Sequence, residues 1–333
     1  MTDIANLIDE FFPTTKKKME EIKNKKFIHY TSAENAFKII QNQEIWLRKV
    51  ICMNDFSEIN CGRELFIDFF TNENNKHRLN NIIKKLDNNA TVEDFYKICD
   101  YYIETLEHKI FISCFSEHDT NDTRGKLSMW RGYANGHGAA LVINPSFLDE
   151  QTHVPNYLFF TVPVIYNQDK YIDNFKTILK LLETDDIINK IKNIYQNNIY
   201  GFFYVLSIIF CCHIVSFKHE GFEEEKEWRI VLWHYSSDTE NTKENTIKND
   251  RNIDIKKTIE TIRGIPQIVY KIPLKSFNFI PNTNNALLNK IIIGPNSNID
   301  VLKETFTTLL SINNVNNPED YIVASDIPFR NPI

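Results

Sequence analysis

The chain has 333 residues, 42% of them hydrophobic and 13% aromatic, and its formal net charge at pH 7 is −6. This apolar content is enough to bury a core and excludes an intrinsically disordered protein, while the acidic balance provides no global basic field for binding nucleic acid. The six cysteines lack the ligand spacing of a zinc site and lie partly in apolar runs, which favours reduced thiols. Since the N-terminus has no basic segment followed by an apolar one, we expect a cytoplasmic protein without a secretory signal.

Strands and helices are predicted from short apolar runs and from apolar residues at helical spacing, respectively. The predicted strands cover residues 27–30, 44–48, 109–115, 139–143, 157–166, 228–235, 268–272, 290–293 and 321–323. The predicted helices cover residues 1–26, 33–42, most of 59–108 apart from an Asn-rich loop at 72–80, 127–133 and 170–217. We therefore expect an α+β fold in which mixed, mostly antiparallel sheets are flanked by helices.

The domain organisation follows from the same pattern. Residues 1–26 are predicted to form an N-terminal helix, and residues 27–333 a single domain with a helical insertion at about 170–217. Residues 236–260 are polar and predict an exposed loop. The segment 199–217 carries no formal charge and is long enough to cross a bilayer, but it contains His213 and continues into an acidic strand start, which favours a helix buried on all sides and no membrane contact.

Two acidic residues precede the predicted strand at 228–235. On a strand, alternate residues point to the same face, so Glu225 and Glu227 are expected to share one side while Lys226 opposes them. Adjacent like charges raise one pKa, which suits a carboxylate that binds a hydroxyl. The alternative interpretation is a solvated acidic run.

Polar side chains also lie where the predicted strand at 27–30 meets a helix. His29 is in position to donate to a ligand hydroxyl and Tyr30 offers a ring for stacking, whereas Thr31 or Ser32 can cap the helix. The alternative is a helix cap preceded by a half-buried histidine.

Residues 130–138 combine aromatic residues, an arginine and three glycines, a composition that suits a ligand-lining loop. Arg131, or Arg124 just upstream, is the predicted contact to a phosphate. The structural alternative is that the glycines serve a turn and the aromatic residues the core.

A metal or hydroxyl site is compatible with the pattern Asn54-Asp55-x-x-Glu58. An Asn or Asp helix cap followed by Glu gives the same pattern, and we predict no metal ligand. The chain has no GxxxxGK[ST], GxGxxG, HExxH or GxSxG motif, which argues against nucleotide kinases, Rossmann dehydrogenases, zincins and α/β-hydrolases.

Taken in order, several short blocks resemble a widespread bacterial family of domains of unknown function, over residues 27–330. The blocks are His29-Tyr30-Thr31-Ser32, Asn54-Asp55-x-x-Glu58, Ser113-Cys114-Phe115-Ser116, Trp130-x-x-Tyr133-Ala134, Glu225-x-Glu227-Trp228-Arg229, Ile292-Ile293-Gly294-Pro295 and Ile327-Pro328-x-Arg330.

A more distant resemblance implies an enzymatic activity. The strand ending at His29, followed by Thr31 and Ser32 and a helix, is similar to the opening of ADP-ribosyltransferases, which close their site with a Glu, often as Glu-x-Glu, at the start of a later strand. The chain departs from that pattern at Tyr30, where a small residue is usual, and it lacks a clear Ser-Thr-Ser in its middle strand.

This resemblance implies a split-sheet core, NAD as the substrate, and a protein or nucleic-acid acceptor, or water in NAD glycohydrolysis. The ADP-ribosyltransferases include toxins and anti-phage effectors. By position, His29 would bind the nicotinamide ribose, Tyr133 or Tyr30 would stack on the nicotinamide, Glu227 would bind the ribose 2′-hydroxyl and Glu225 would engage the acceptor; Thr31 belongs to the same cofactor-binding block.

Two other classes of function stay open at this point. A metal-dependent nuclease or hydrolase would use Asp55, Glu58, Glu225, Glu227 and a histidine. A non-enzymatic sensor would bind a nucleotide or a partner through residues 130–138.

Overall fold

A computed structural model describes residues 10–12, 21, 25–53, 57–134, 136–144, 152–154, 157–195, 198–234, 246–248, 254–262, 264–282, 286–295 and 298–328. The chain divides into two compact units. The first comprises Met1–Lys18, Lys49–Ile110 and Val162–Glu224, and the second comprises Met19–Arg48, Phe111–Thr161 and Glu225–Ile333.

The helices of the described residues are α1 (Ala33–Asn42), α2 (Ser57–Thr71), α3 (Glu73–Leu86), α4 (Val92–Lys109), α5 (Leu127–Tyr133), α6 (Gln168–Leu182), α7 (Asp185–Tyr195), α8 (Ile199–Val215) and α9 (Ile299–Ile312). The strands are β1 (Lys26–Ser32), β2 (Glu44–Lys49), β3 (Ile110–His118), β4 (Gly138–Ile143), β5 (Thr152–Val154), β6 (Tyr157–Pro163), β7 (Glu227–His234), β8 (Thr246–Lys248), β9 (Asp254–Ile262), β10 (Ile265–Pro273), β11 (Leu288–Ile293) and β12 (Ile322–Ala324).

The first unit is helical and is built around α8. Fourteen of the 17 residues of α8 are buried, including Phe210, whose ring lies against those of Phe70 and Phe66 on α2. The prediction of a helix buried on all sides is therefore confirmed. In the part of the chain that the structure describes, no single helix is both long enough and apolar enough to cross a bilayer.

The second unit holds the sheet. Its strands follow the order β12-β11-β4-β1-β3-β2-β10-β9-β8, while β7 pairs with both β3 and β6, and β5 pairs with β6. The pairings whose register is known are antiparallel, except that β11 and β12 run parallel. This confirms the prediction of a mixed, mostly antiparallel sheet flanked by helices.

Side chains alternate between the two faces of the sheet. Phe27, Leu141 and Ile293 pack in a large cluster with α1 and α9, and we call this side the α9 face. Ile28 and Val142 pack instead with α5, on what we call the α5 face. The alternation follows from the two-residue period of a strand.

Two predictions about loops are wrong. The Asn-rich stretch 72–80 belongs largely to α3, because the Asn72 side chain accepts a hydrogen bond from the Asn74 backbone N–H and begins the helix. The polar stretch 236–260 contains β8 and most of β9, because β9 pairs with β10 from Lys256 to Ile262 and this ladder outweighs its polar composition. The predicted N-terminal helix lies almost wholly outside the described residues.

The packing of Trp130 accounts for glycine at three positions that are distant in sequence. Its buried indole donates from Nε1 to the Arg124 carbonyl at 2.9 Å. A Cβ placed on Gly125 or Gly138 would lie 3.0 Å from the ring, and one on Gly294 would lie 2.8 Å from it. The ring therefore occupies space that only glycine leaves free.

We expect Gly138→Ala and Gly294→Ala each to lower the free energy of unfolding by about 1–3 kcal/mol through overpacking. The Cβ at position 294 would press on Trp130, and the one at position 138 would lie 2.4 Å from the Ala134 Cβ as well as 3.0 Å from Trp130. The matched control is Gly132→Ala, since nothing lies within 4 Å of a Cβ there and the position is helical. That control is expected to be neutral or stabilising. Denaturant unfolding of the three variants measures the difference, and equal stabilities would contradict the packing role of the glycines.

His213 is a buried histidine of the helical unit. Its Nε2 lies 3.3 Å from the Phe11 carbonyl oxygen, and its ring stacks on that of Phe12 at 4.5 Å. Desolvation lowers the pKa of His213 to about 4, against the smaller opposing effect of the Phe11 hydrogen bond. The imidazole is therefore neutral in the folded protein at pH 7.

Because the pKa of His213 is lower in the folded state than in the unfolded state, the unfolded state binds more protons below about pH 6.5, and stability falls as the pH drops. We expect the protonation of this residue on unfolding to lower the free energy of unfolding by about 2 kcal/mol between pH 7 and pH 5. His213→Gln keeps a donor for the Phe11 carbonyl and removes the titration, so its unfolding free energy should fall less over this range than that of the wild type. An identical pH dependence of the two proteins would show that protonation of His213 does not destabilise the folded state.

Candidate functional site

The acidic run before β7 is only partly solvated. Glu220, Glu223 and Glu224 are exposed, whereas Glu225 is 8% and Glu227 is 4% exposed. Buried carboxylates cost free energy unless they are paired, so the chain must provide partners for these two. The alternative of a wholly solvated run is therefore wrong for Glu225 and Glu227.

The two buried glutamates are not alternate residues of one strand. Glu225 ends a 3-10 turn that spans Glu220–Glu225, and Glu227 is the first residue of β7. Lys226 between them has a φ of 46°, in the left-handed region that side chains other than glycine rarely adopt. The expectation that Glu225 and Glu227 share a strand face is therefore wrong in its geometry, because the backbone turns at Lys226.

Glu227 is paired with Arg229 two residues further along β7. Arg229 Nε lies 2.8 Å from Glu227 Oε1, and Nη2 lies 3.4 Å from Oε2. Arg229 is 1% exposed, so this pair is buried. A guanidinium that faces both carboxylate oxygens fixes the orientation of Glu227.

Glu225 is bonded to the aromatic residue that the sequence singles out at the end of α5. The Tyr133 hydroxyl donates to Glu225 Oε1 at 3.2 Å, across 92 positions of sequence. Tyr133 is half-buried and packs on the α5 face. The structure thus brings two predicted site residues together, although Tyr133 is in a position to orient Glu225 as well as to contact a ligand.

His29 lies where β1 and β3 separate. The ladder between these strands includes Ile28, opposite Ser116, and beyond it the His29 imidazole Nδ1 lies 2.8 Å from the Cys114 carbonyl oxygen. The side chain therefore occupies a backbone acceptor that the continued ladder would have used. Desolvation lowers the pKa of His29, and the Cys114 hydrogen bond opposes it, so the ring is neutral at pH 7 with Nδ1 donating to Cys114 and Nε2 left as the acceptor.

His29 and Glu227 occupy different faces of the sheet. His29 alternates with Ile28, which packs on the α5 face, and its ring lies 5.2 Å from that of Phe115, which packs on the α9 face. Trp228 also packs on the α9 face, so Glu227 points to the α5 face.

The strand that bears His29 and the acidic turn lie on either side of β3. Glu117 on β3 is the register partner of Phe27 on β1, and its backbone N–H donates to the Lys226 carbonyl at 3.0 Å on its other side. With neighbouring strands about 4.8 Å apart, β1 and the acidic turn are separated by on the order of 10 Å at this level.

Tyr30 is a core residue. It is 6% exposed, its ring packs edge-on against Trp130 at 4.9 Å, and its hydroxyl accepts from the Lys126 N–H at 3.0 Å. Desolvation raises its pKa to about 12. The ring that was a candidate for stacking on nicotinamide is thus covered by Trp130. Thr31 is also buried, and its hydroxyl accepts from the Asn35 side chain at 3.3 Å.

The two candidate phosphate ligands lie at the surface. Arg124 Nε forms an exposed ion pair with Asp326 at 2.8 Å. Arg131 is exposed on α5, two residues before Tyr133. Of these two, Arg131 shares a helix with Tyr133, which contacts the buried Glu225.

The metal hypothesis depends partly on residues outside the described set, since Asp55 and the Glu58 side chain are not described. Among the described residues, no group of three His, Cys, Asp or Glu side chains is placed to hold a metal ion.

Neither Arg229, which appears only as the last residue of a resembling block, nor Glu117 was predicted from the sequence to have a role in the site. Arg229 could have been found, because a residue two positions after Glu227 on a strand shares its face. Glu117 had no such signal, since its contacts to Phe27 and Lys226 depend on pairing between distant strands.

One comparison with known proteins gives a match. A family model described as a protein of unknown function, DUF2971, matches residues 129–230. The match runs from α5 into β7 and includes Trp130, Tyr133, Glu225 and Glu227, so the resemblance to a domain of unknown function holds over that segment, which is shorter than the expected 27–330. No curated protein and no solved structure matches the chain.

The left-handed conformation of Lys226 can be tested by comparing glycine with alanine at this position, because at positive φ glycine should be the more stabilising of the two. We expect Lys226→Gly to be more stable than Lys226→Ala by about 1 kcal/mol, because both remove the ammonium group but only alanine keeps a Cβ at positive φ. Unfolding free energies in denaturant provide the comparison. If the alanine variant is the more stable, the turn between the two glutamates does not have this geometry.

Proposed function

We propose that the chain is an ADP-ribosyltransferase-like enzyme that cleaves NAD and transfers the ADP-ribosyl group to a protein or nucleic acid, or to water as an NAD glycohydrolase. The observation that carries the proposal is the pair of buried, oriented carboxylates, Glu225 and Glu227, at the start of β7. They lie across β3 from the strand that bears His29.

The arrangement of strands supports the resemblance on which this proposal draws. β1 separates from β3 after Ile28 and continues along β4, where His29 is opposite Leu141. The end of this ladder is where a split between two groups of strands would begin, and β7 pairs with β3. We assign this as the split-sheet core of an ADP-ribosyltransferase-like fold, with NAD bound where β1 and β3 separate.

The chemistry follows from what the two carboxylates can do. When the bond between the ribose C1′ and the nicotinamide nitrogen breaks, both electrons leave with nicotinamide, and positive oxocarbenium character develops on the sugar, as in glycoside hydrolysis. A fixed carboxylate beside that charge stabilises the transition state more than the ground state. Glu227, oriented by Arg229, is the residue we assign to this role and to the ribose 2′-hydroxyl.

Glu225 is assigned to the acceptor. The incoming acceptor forms a bond to C1′ and loses a proton, which a neighbouring carboxylate can take. The Tyr133 hydroxyl bond orients the Glu225 carboxylate for that role, and we assign the Tyr133 ring to the contact with nicotinamide. His29 contributes from the gap, where its Nε2 can accept a hydrogen bond from a ribose hydroxyl.

We expect the purified protein to release nicotinamide from NAD, and Glu227→Gln to lower the rate by about 100- to 1,000-fold through loss of the carboxylate charge. Glu223→Gln is the matched control, because Glu223 lies in the same acidic run but is exposed. It should retain the wild-type rate.

The rate is measured by nicotinamide release and by labelled transfer to candidate acceptors. Release that is unaffected by Glu227→Gln would overturn the assignment of the carboxylate. If the wild type binds NAD without releasing nicotinamide under every acceptor condition, the nucleotide-sensing alternative replaces the proposal.

A further inference from the structure

Glu117 joins three segments that meet at the acidic turn. Its Oε2 lies 2.7 Å from Lys25 Nζ, just before β1, and its Oε1 accepts from Trp228 Nε1 at 3.1 Å. Its backbone N–H donates to the Lys226 carbonyl at 3.0 Å. One residue of β3 is thus bonded to the residues immediately before and after Glu227.

This pattern constrains the direction of Glu227. The carbonyl of Lys226 belongs to the peptide that precedes Glu227, and the Trp228 side chain lies on the opposite face of β7 from the Glu227 side chain. Fixing the carbonyl and the indole therefore sets the rotation of the backbone at Glu227. The indole is also held by Phe27, whose ring packs edge-on against it at 5.6 Å.

A carboxylate suits this position for a chemical reason. Glu117 must accept from Lys25 with one oxygen and from Trp228 with the other, and an ionised carboxylate is the side chain with two acceptors and no donor. Glutamine would keep one acceptor for Trp228 but would offer its amide hydrogens to the Lys25 ammonium.

We propose that Glu117 is a positioning residue of the acidic site, whose carboxylate acts on the reaction through Trp228 by holding Glu227 in its productive direction, while the backbone bond to Lys226 is common to any residue at this position. This inference rests on the proposed function. The Lys25 pair lies on the exposed side of Glu117, with 44% of the Lys25 side chain accessible, so the contact to Trp228 is the one that matters for the site.

The test compares three variants in the NAD assay. Glu117→Ala should lower kcat by about 10- to 100-fold through misplacement of Glu227 and leave KM for NAD nearly unchanged. Glu117→Gln keeps the acceptor for Trp228 and should restore most of kcat. Lys25→Met removes only the ion pair and should behave as the wild type.

A second comparison separates positioning from general structural damage. In the Glu227→Gln background there is no carboxylate left to position, so Glu117→Ala should add less than about a two-fold loss. A loss of the same factor in both backgrounds, or an unchanged kcat of Glu117→Ala in the wild-type background, would overturn the inference.

Hydrogen–deuterium exchange gives a readout that does not depend on NAD. Glu117→Ala should speed the exchange of the amides of residues 226–228, and Glu117→Gln should not. Faster exchange in a protein that never cleaves NAD would refute the proposed function and retain the role of Glu117 in holding the turn, whereas unchanged exchange would refute that role even in an active enzyme.

Discussion

The structure around the acidic turn depends on one constraint, that a carboxylate removed from water must have partners. Glu227 has Arg229, and Glu225 has Tyr133. Breaking a buried pair by removing one partner costs about 3–5 kcal/mol, because the remaining charge is left uncompensated. Burial of the two acids therefore requires that α5 and the beginning of β7 be held in a defined relation within the sheet-bearing unit.

The packing of Trp130 meets part of that requirement. Trp130 and Tyr133 lie on the same short helix, and Trp130 is fixed by the space that Gly125, Gly138 and Gly294 leave free. Gly294 also donates its N–H to the Gly138 carbonyl at 2.9 Å, which joins the end of β11 to the start of β4. The position of the Tyr133 hydroxyl is thus a consequence of packing around an indole three residues earlier. Residues that are far apart in the sequence thus form one local structure.

Elements with a strong local signal could be predicted from the sequence. The helix after Ser32 begins and ends where the cap and the apolar spacing place it, and the apolar runs of β3, β4 and β11 are strands. The errors have physical causes: Asn72 was assigned to a loop although it caps a helix, and β9 is a polar strand that exists through its pairing with β10. In each case a specific hydrogen-bonding arrangement outweighs what composition indicates.

Only part of the candidate site could be anticipated from the sequence. Glu225 and Glu227 attract notice because they precede an apolar strand, but their burial was one of two open alternatives, and the left-handed turn at Lys226 has no signature in a lysine. The location of His29 in the gap between β1 and β3 depends on where a ladder ends, which single-sequence reasoning does not determine. Contacts across sheet strands decide both points, and these come from the tertiary fold.

The most direct test of an NAD site at the acidic turn is the structure of the Glu227→Gln variant crystallised with NAD, since this variant should bind the dinucleotide and turn it over slowly. We expect electron density for the nicotinamide ribose within hydrogen-bonding distance of the residue 227 side chain, with the nicotinamide near Tyr133. Density for NAD at a site remote from Glu225 and residue 227, or no bound NAD at concentrations that saturate the wild type, would contradict this expectation.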